Sequence, residues 1–312
     1  MGGPGGALLE ALGASRYDIA RFSGAPVDFA QGRNRVRAPA VTAERRQGRT
    51  LFSGGVSGDF SASEAPESPP LRLACRTLSV TASPTPAGPK PDRLEAVGEV
   101  RLEGLMEKPG EEPGRAEAER FVWSLLQQQG LLEGRPLVRL VQGRNLILAP
   151  RVLLEGRSTI ILKGPKRFRL AQRLEDRETV YVVSSEGDVV VDAERGRTTL
   201  ADRCCVRSED FRLQADRMEI ELSPDGKSLR GLRASGNVRA RRAGEDVTLY
   251  GDRVRFDPKD RSLSVIGYPR ALAEAGGRTV RTREIRFNER SRTTLFRGGS
   301  EGVLLVIDEP KK

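Results

Sequence analysis

Histidine is absent from all 312 residues. That excludes the serine–histidine–carboxylate triads, the zincin motifs and most catalytic metal sites, each of which uses imidazole as base or ligand. Carboxylate and lysine chemistry stay open, but no paired-carboxylate motif, phosphate loop or dinucleotide fingerprint occurs. The run Gly2-Gly3-Pro4-Gly5-Gly6 reads as coil. No enzymatic activity, cofactor or metal is therefore expected. Three cysteines are too few for a disulfide framework or a zinc site. Adjacent Cys204 and Cys205 would face opposite sides of a strand. One could pair with Cys75 in an oxidising compartment, but buried thiols in strands are the favoured reading. Aromatic residues make up 5% and apolar residues 37%, which suits a thin core between narrow sheets. No run of about twenty apolar residues is present to cross a membrane as a helix. Met1 to Leu12 shows no secretory signal pattern, so export would need a start not visible here or another route.

Charge is what the chain has in plenty. Charged residues reach 31%, with 53 Lys and Arg against 43 Asp and Glu, a net charge of +10 and a pI near 10.0. The arginines are scattered and alternate with apolar residues. Stacking aromatics are few and no nucleic-acid module is recognisable, so nucleic acid is not expected as a partner. Most arginines read as solvated strand faces, and some are placed to meet phosphate.

Repeats set the fold class. Gln31-Gly32-Arg33-Asn34-x-x-x-Ala38-Pro39-x-Val41 returns as Gln142-Gly143-Arg144-Asn145-x-x-x-Ala149-Pro150-x-Val152, 111 residues later. Leu94-x-Ala96-x-Gly98-x-Val100 returns as Leu232-x-Ala234-x-Gly236-x-Val238, 138 residues later. Read as one duplication, the second copy carries about 27 extra residues (138 minus 111). A shorter unit lies inside it. Phe211-Arg-Leu213-Gln-Ala215-Asp216-Arg217-Met218-Glu-Ile220 aligns with Val247-Thr-Leu249-Tyr-Gly251-Asp252-Arg253-Val254-Arg-Phe256. Arg278-Thr-Val280-Arg-Thr282-Arg283-Glu284-Ile285-Arg-Phe287 follows more loosely, and Leu71-Arg-Leu73-Ala-Cys75-Arg76-Thr77-Leu78-Ser-Val80 fits the same template. Gly98, Gly236, Gly267 and Gly298 punctuate the units. Apolar side chains fall at every second position, which places them on one sheet face and the charges on the other. Turn residues at Ser223–Gly226, Asp257–Asp260 and Ala275–Gly277 separate the strands. The alternatives are stacked hairpins, a solenoid-like half-open sandwich, or an ordinary β-sandwich, with the repeats favouring the stacked forms.

The expected organisation is a flexible lead at 1–16, a first β-domain at 17–106, a linker and helix at 107–135, a second β-domain at 136–307 and a tail at 308–312. Pro/Ser-rich loops interrupt the first domain at Ser61–Pro70 and Ser83–Asp92, and Glu107–Gly114 is a charged Pro/Gly linker. The spacing of Phe121, Val122, Leu125 and Leu126 predicts one amphipathic helix over Arg115–Gln129, with Gly130 as its stop and Trp123 beside the stripe. A helix there could dock a partner. Capping an open end of the β-stack is the favoured role.

Ala-x-Gly-x-Val, then a strand with a Gly/Ala-Asp-x-φ-x-φ core, a turn and φ-x-φ-x-Gly resembles the OstA-like unit. That unit belongs to the LptA–LptC family of lipopolysaccharide-transport β-jellyroll proteins. Leu232–Gly267 carries the pattern best, in Leu232–Val238, Leu249–Asp257 and Leu263–Gly267. The match is good over 205–298, fair over 71–104 and 142–165, and poor elsewhere. The resemblance implies an antiparallel β-jellyroll, open along one seam and built of repeated units, here with one inserted helix. It also implies a periplasmic lipid carrier or bridge that stacks on other OstA-like proteins, or on itself, through sheet edges. On that reading an inner face of Leu213, Met218, Ile220, Val238, Leu249, Val254, Phe256, Val265, Val280, Ile285 and Phe287 would hold the acyl chains of lipopolysaccharide or a related anionic glycolipid. Each buried methylene would contribute about 0.8 kcal/mol. The alternatives are a ligand-free β-scaffold that assembles end to end and, less favoured, a carboxylate-based polysaccharide-active β-helix.

Overall fold

The computed structural model describes residues 19–31, 34–44, 46–60, 70–84, 90–105, 113–143, 145–156, 159–164, 166–174, 177–209, 211–223, 229–242, 247–275, 277–288, 291, 293–298 and 304–308. The expected lead at 1–16, most of the loop at 61–70, the middle of the loop at 83–92, most of the linker at 107–114, part of the turn at 223–226 and the tail beyond 308 lie outside the described residues.

Two compact units divide the chain, Met1–Arg157 and Ser158–Lys312. The first holds β1 (Ile19–Gln31), β2 (Asn34–Glu44), β3 (Arg49–Phe60), β4 (Leu71–Ser83), β5 (Lys90–Leu105), β6 (Gly114–Ser124), β7 (Gln129–Gln142) and β8 (Asn145–Glu155). The second holds β9 (Thr159–Lys163), β10 (Lys166–Leu174), β11 (Arg177–Ser185), β12 (Val189–Asp192), β13 (Arg197–Arg207), β14 (Phe211–Leu222), β15 (Leu229–Arg242), β16 (Val247–Asp257), β17 (Ser262–Ala275), β18 (Arg278–Asn288), β19 (Thr293–Arg297) and β20 (Leu304–Asp308). Among the described residues every regular element is a strand.

In the first unit each strand pairs antiparallel with the next, β1 through β8. In the second, β13 through β20 do the same. β11 and β12 act as one interrupted strand, because β11 pairs with the second half of β13 and β12 with its first half. β9 and β10 are interrupted in the same way, pairing with β12 and β11 respectively.

One irregularity crosses strand after strand at the same place. The register slips between Ser53 and Val56 on β3, Val97 and Val100 on β5, Ala201 and Cys204 on β13, and Ser235 and Val238 on β15. Two residues there oppose one on the partner strand, which bends the ladder. Even-numbered strands supply a small residue at this line: Ala38, Cys75, Ala118, Ala149, Ala215, Gly251 or Thr282. The residue after it is skipped by the ladder on one side (Pro39, Arg76, Glu119, Pro150, Asp216, Asp252, Arg283). Proline is admissible because no ladder hydrogen bond is required there. On the odd strands Gly98 and Glu99, and Gly236 and Asn237, all have positive φ. A Cβ on Gly98 would lie 2.9 Å from the Arg76 side chain, and one on Gly236 would lie 2.5 Å from Asp216 Oδ2. Both the backbone conformation and the space therefore require glycine. Side chains clasp the corner: Arg76 pairs with Glu99, Asn237 donates to Asp216 at 2.8 Å, and the Tyr268 amide donates to Asp252. The Arg76 guanidinium holds the Glu99 carboxyl below its ordinary range.

The corner folds the long strands, β1 to β8 and β13 to β18, into two arms. Arm 1 holds the ends of odd strands and the starts of even ones; arm 2 holds the rest. Ring contacts show that the arms face one another. Phe211 opens β14 in arm 1, and Phe256 sits in arm 2 of β16, in the row that contains Ile220 of β14. Along a flat strand Phe211 and Ile220 would be about 30 Å apart. Instead the Phe211 and Phe256 rings lie 6.1 Å apart. In the first unit Phe29 of arm 1 meets Phe52 of arm 2 edge-on at 5.3 Å. The core of each unit is the thin space between its arms.

The expected helix over Arg115–Gln129 is corrected by this architecture. Those residues form β6, a turn at 125–128 and the start of β7. Ala116 faces inward before the corner; Phe121 and Trp123 face inward after it. The supposed helical stripe mixes two sides of β6 with its turn: Phe121 faces inward, Val122 faces outward, and Leu125 and Leu126 lie in the turn, where Leu126 is 72% exposed. Phe121 lies opposite Ala96 and Leu132, so ladder pairing and burial override the helical preference of the Ala, Glu, Arg and Gln residues.

Both paired motifs land on matching strand positions. The eleven-residue motif forms the hairpin and corner of β1–β2 and of β7–β8, with Gln31 opposite Asn34 and Gln142 opposite Asn145. Its two instances lie six strands apart, both in the first unit. The Ala-x-Gly-x-Val instances, on β5 and β15, lie ten strands apart. The common step is a folded pair of strands.

Gly236→Ala is expected to cost about 1–3 kcal/mol of unfolding free energy, whereas Ala at the neighbouring exposed Ser235 should change it by no more than about 0.5 kcal/mol. Chemical denaturation of both variants checks this, and equal stabilities would mean that the corner tolerates a side chain.

Candidate functional site

The eleven residues expected on the inner face occupy ordered rows of the second unit. In arm 1, Leu213, Ala240, Leu249, Ala273 and Val280 are successive Cα partners across β14 to β18. In arm 2, Met218, Ala234, Val254, Val265 and Ile285 form a second row, and Ile220, Leu232, Phe256, Leu263 and Phe287 a third. Val238 lies opposite Gly251 at the corner. The rows arise because a period-two strand and an in-register partner repeat one side-chain direction across the sheet. Arm 1 alternates Leu or Val with Ala, which keeps the gap between the arms narrow.

Along two of the three rows burial falls from β14 toward β18. Leu213, Val265 and Ile285 are fully buried, and Met218, Ile220, Val238, Leu249 and Val254 are at most 8% exposed. Phe256, Val280 and Phe287 are half-buried, as are Phe211 and Leu263. Val280 shares the row of buried Leu213, and Phe256 and Phe287 share that of buried Ile220; at the arm ends Tyr181, Phe211 and Phe256 form a line of rings with centroids 6.0 and 6.1 Å apart. Inner residues that sequence reasoning left out include Leu200, Leu232, Ala234, Ala240, Leu263 and Ala273. Their signal is the spacing i, i+2, i+5, i+7 through a corner, as in Leu73, Cys75, Leu78 and Val80, or Leu213, Ala215, Met218 and Ile220.

Outward positions carry the charge. In the first unit Arg35, Asp59, Arg72, Glu103 and Arg115 succeed one another across β2 to β6. Ion pairs link Arg72 to Asp59 at 3.9 Å and Arg115 to Glu103 at 3.5 Å. In arm 2, Arg120 joins Glu95 at 2.7 Å and Glu133 at 2.8 Å, and Arg151 joins Glu133 at 3.2 Å. Each exposed pair contributes about 0–1 kcal/mol, while the alternation avoids like charges directly opposite. Many arginines read from sequence as solvated are thus cross-strand partners of acids.

Cys75, Cys204 and Cys205 are free thiols; Cys204 faces the core and Cys205 is half-buried on the opposite side. Burial pushes the Cys75 and Cys204 thiols up to about 11. Among the described residues no group of three acidic or thiol side chains is placed to hold a metal.

No protein-family model matches the chain, and no curated protein matches it. Among solved structures it is similar to LptH, the LptA homologous periplasmic component of the lipopolysaccharide transport device from Pseudomonas aeruginosa. That likeness has 15% identity and a TM-score of 0.31, covering 39% of this chain and 75% of that one.

Ile285→Asp is expected to destabilise the fold by several kcal/mol, because a carboxylate there is buried without a partner. Arg255→Asp should be neutral or mildly stabilising, since it gives exposed Arg233 an acid opposite it. Thermal melts of the two variants decide this, and equal melting points would place Ile285 outside the core. Alkylation gives a second check. At pH 8 roughly one buried thiol in a thousand would be ionised, so folded protein should take label on no more than one cysteine. All three should react after denaturation, and labelling of the buried pair should accelerate only as pH rises toward 11.

Proposed function

We propose that the chain is a non-enzymatic lipid carrier or bridge, working in the periplasm as part of an open β-jellyroll of OstA-like units. It holds acyl chains of lipopolysaccharide or a related anionic glycolipid between its arms. The observation that carries this reading is the set of unbroken apolar rows across β14 to β18, two of which end on β18 in half-buried Val280 and Phe287, with Phe256 half-buried on β16. An acyl chain would enter where the arms end, by parting the ring line at Phe211 and Phe256, and would replace arm-to-arm contacts with its own methylenes. Because those contacts are themselves apolar, the exchange is close to balanced, which suits loading and passing on. Partners of the same kind would add to a sheet edge. β1 supports this: among the described residues it pairs with β2 alone, and it exposes Ile19 and Phe22 by 51% and 46%.

A ligand-free scaffold is the second reading, favoured by the near-complete burial of Leu213, Val265 and Ile285. Photo-crosslinking separates the two. In cells that make lipopolysaccharide, a crosslinker at Leu249 or Phe256 should capture glycolipid, and one at Arg253 or Arg255 should not. Capture that survives raised salt supports acyl burial. No adduct at either inner position in folded protein leaves the scaffold as the function.

A further inference from the structure

Three arginines stand directly opposite one another in the second unit. Arg207 on β13 is the Cα partner of Arg212 on β14, and Arg212 is the partner of Arg241 on β15. All three are exposed on the outer side of arm 1. None has an ion-pair partner among the described residues. Like charges in direct opposition weaken a sheet, and the first unit shows how the same fold avoids them.

The comparison is position for position. Leu71-Arg-Leu73 aligns with Phe211-Arg-Leu213, which sets Arg212 on Arg72. Leu94–Val100 aligns with Leu232–Val238, which sets Arg241 on Glu103. Asp59 lies six residues after Ser53 at the β3 corner, and Arg207 six after Ala201 at the β13 corner. Arg72 therefore sits between Asp59 and Glu103, while Arg212 sits between Arg207 and Arg241. The surroundings continue the contrast. Arg239, one row inward, is exposed and stacks over the Tyr250 ring at 5.6 Å. Val182, the Cα partner of Arg207, is 44% exposed.

We infer that this row is a docking face for an anionic phospholipid bilayer. Three exposed guanidiniums span about 10 Å across three strands, and each can chelate a phosphate through two parallel hydrogen bonds. A flat layer of headgroups presents phosphates side by side in that plane, and the exposed valine at the end of the row suits the headgroup boundary. A second copy of the chain is a poorer complement, because acids such as Asp59, Glu103, Glu133 and Glu219 are already in ion pairs. Nucleic acid is poorer too, since Arg239 covers the Tyr250 ring beside the row and leaves it no free face on that side for base stacking. The inference is independent of what the inner faces hold.

The test is flotation of the full chain with vesicles of phosphatidylcholine alone and of equal parts phosphatidylcholine and phosphatidylglycerol. The parent should float with the mixed vesicles only. R207D/R241E recreates the acid–Arg–acid order of the first unit; it should lose at least about tenfold in binding while its melting point holds or rises. R207S/R241S should lose less. D59R/E103R, which builds the triple arginine on β3 to β5, should bind mixed vesicles more tightly than the parent. The inference is overturned if the parent fails to float, if R207D/R241E floats as the parent does, or if a short DNA duplex at equal phosphate displaces the vesicles.

Discussion

Everything in this fold depends on a corner that each long strand, β1 to β8 and β13 to β18, turns. A sheet of single, straight strands would expose one apolar face along its whole length. Here left-handed residues at Gly98-Glu99 and Gly236-Asn237 bend the odd strands, and a small residue on each even strand lets the next layer approach. The bend brings arm 1 over arm 2, so the apolar face is covered by its own continuation. The Phe211–Phe256 and Phe29–Phe52 contacts close that cover within their respective units. Because the space between the arms is one side-chain layer thick on each side, 5% aromatic and 37% apolar content is enough to fill it.

The outer surface answers to a different constraint. Strand pairing repeats the same outward position every 4.8 Å or so, and any charge placed there meets its neighbour. The first unit resolves this by alternating signs from β2 to β6. The second keeps the corner, the inner rows and the register but abandons the alternation at Arg207, Arg212 and Arg241. Since the two units share a scaffold, a difference in charge order at matched positions speaks of a partner outside the chain. The net charge of +10 is thus not spread evenly over equivalent faces.

Much of this was legible in the residues. Period-two alternation marked the strands, while Gly98 and Gly236, read from the sequence as punctuation between units, sit at the bends of β5 and β15. All eleven candidate inner residues are buried or half-buried, because alternation alone assigns a side of the sheet. The helix over 115–129 misled for a physical reason: Phe121 and Val122 face opposite sides of β6 and Leu125 and Leu126 sit in the turn after it, yet their spacing matches one face of a helix. Local helix-forming residues agreed with that false period, and only pairing with Ala96 and Leu132 overrules them. The two-strand repeat was visible in the shorter unit on β4, β14, β16 and β18, but the longer motifs, six and ten strands apart, read as one duplication with an insertion.

The sequence by itself determined that the chain is built of antiparallel strands, where they turn, which residues look inward and that histidine-based chemistry is absent. These follow from side-chain type and spacing, which act over a few residues. Tertiary structure alone decided that each long strand is folded in two, that Phe211 meets Phe256, and that Arg212 lies between two arginines while Arg72 lies between two acids. Such contacts join residues tens of positions apart in the chain. They depend on a register in which one inserted residue reverses every side chain beyond it, and no local pattern carries that information.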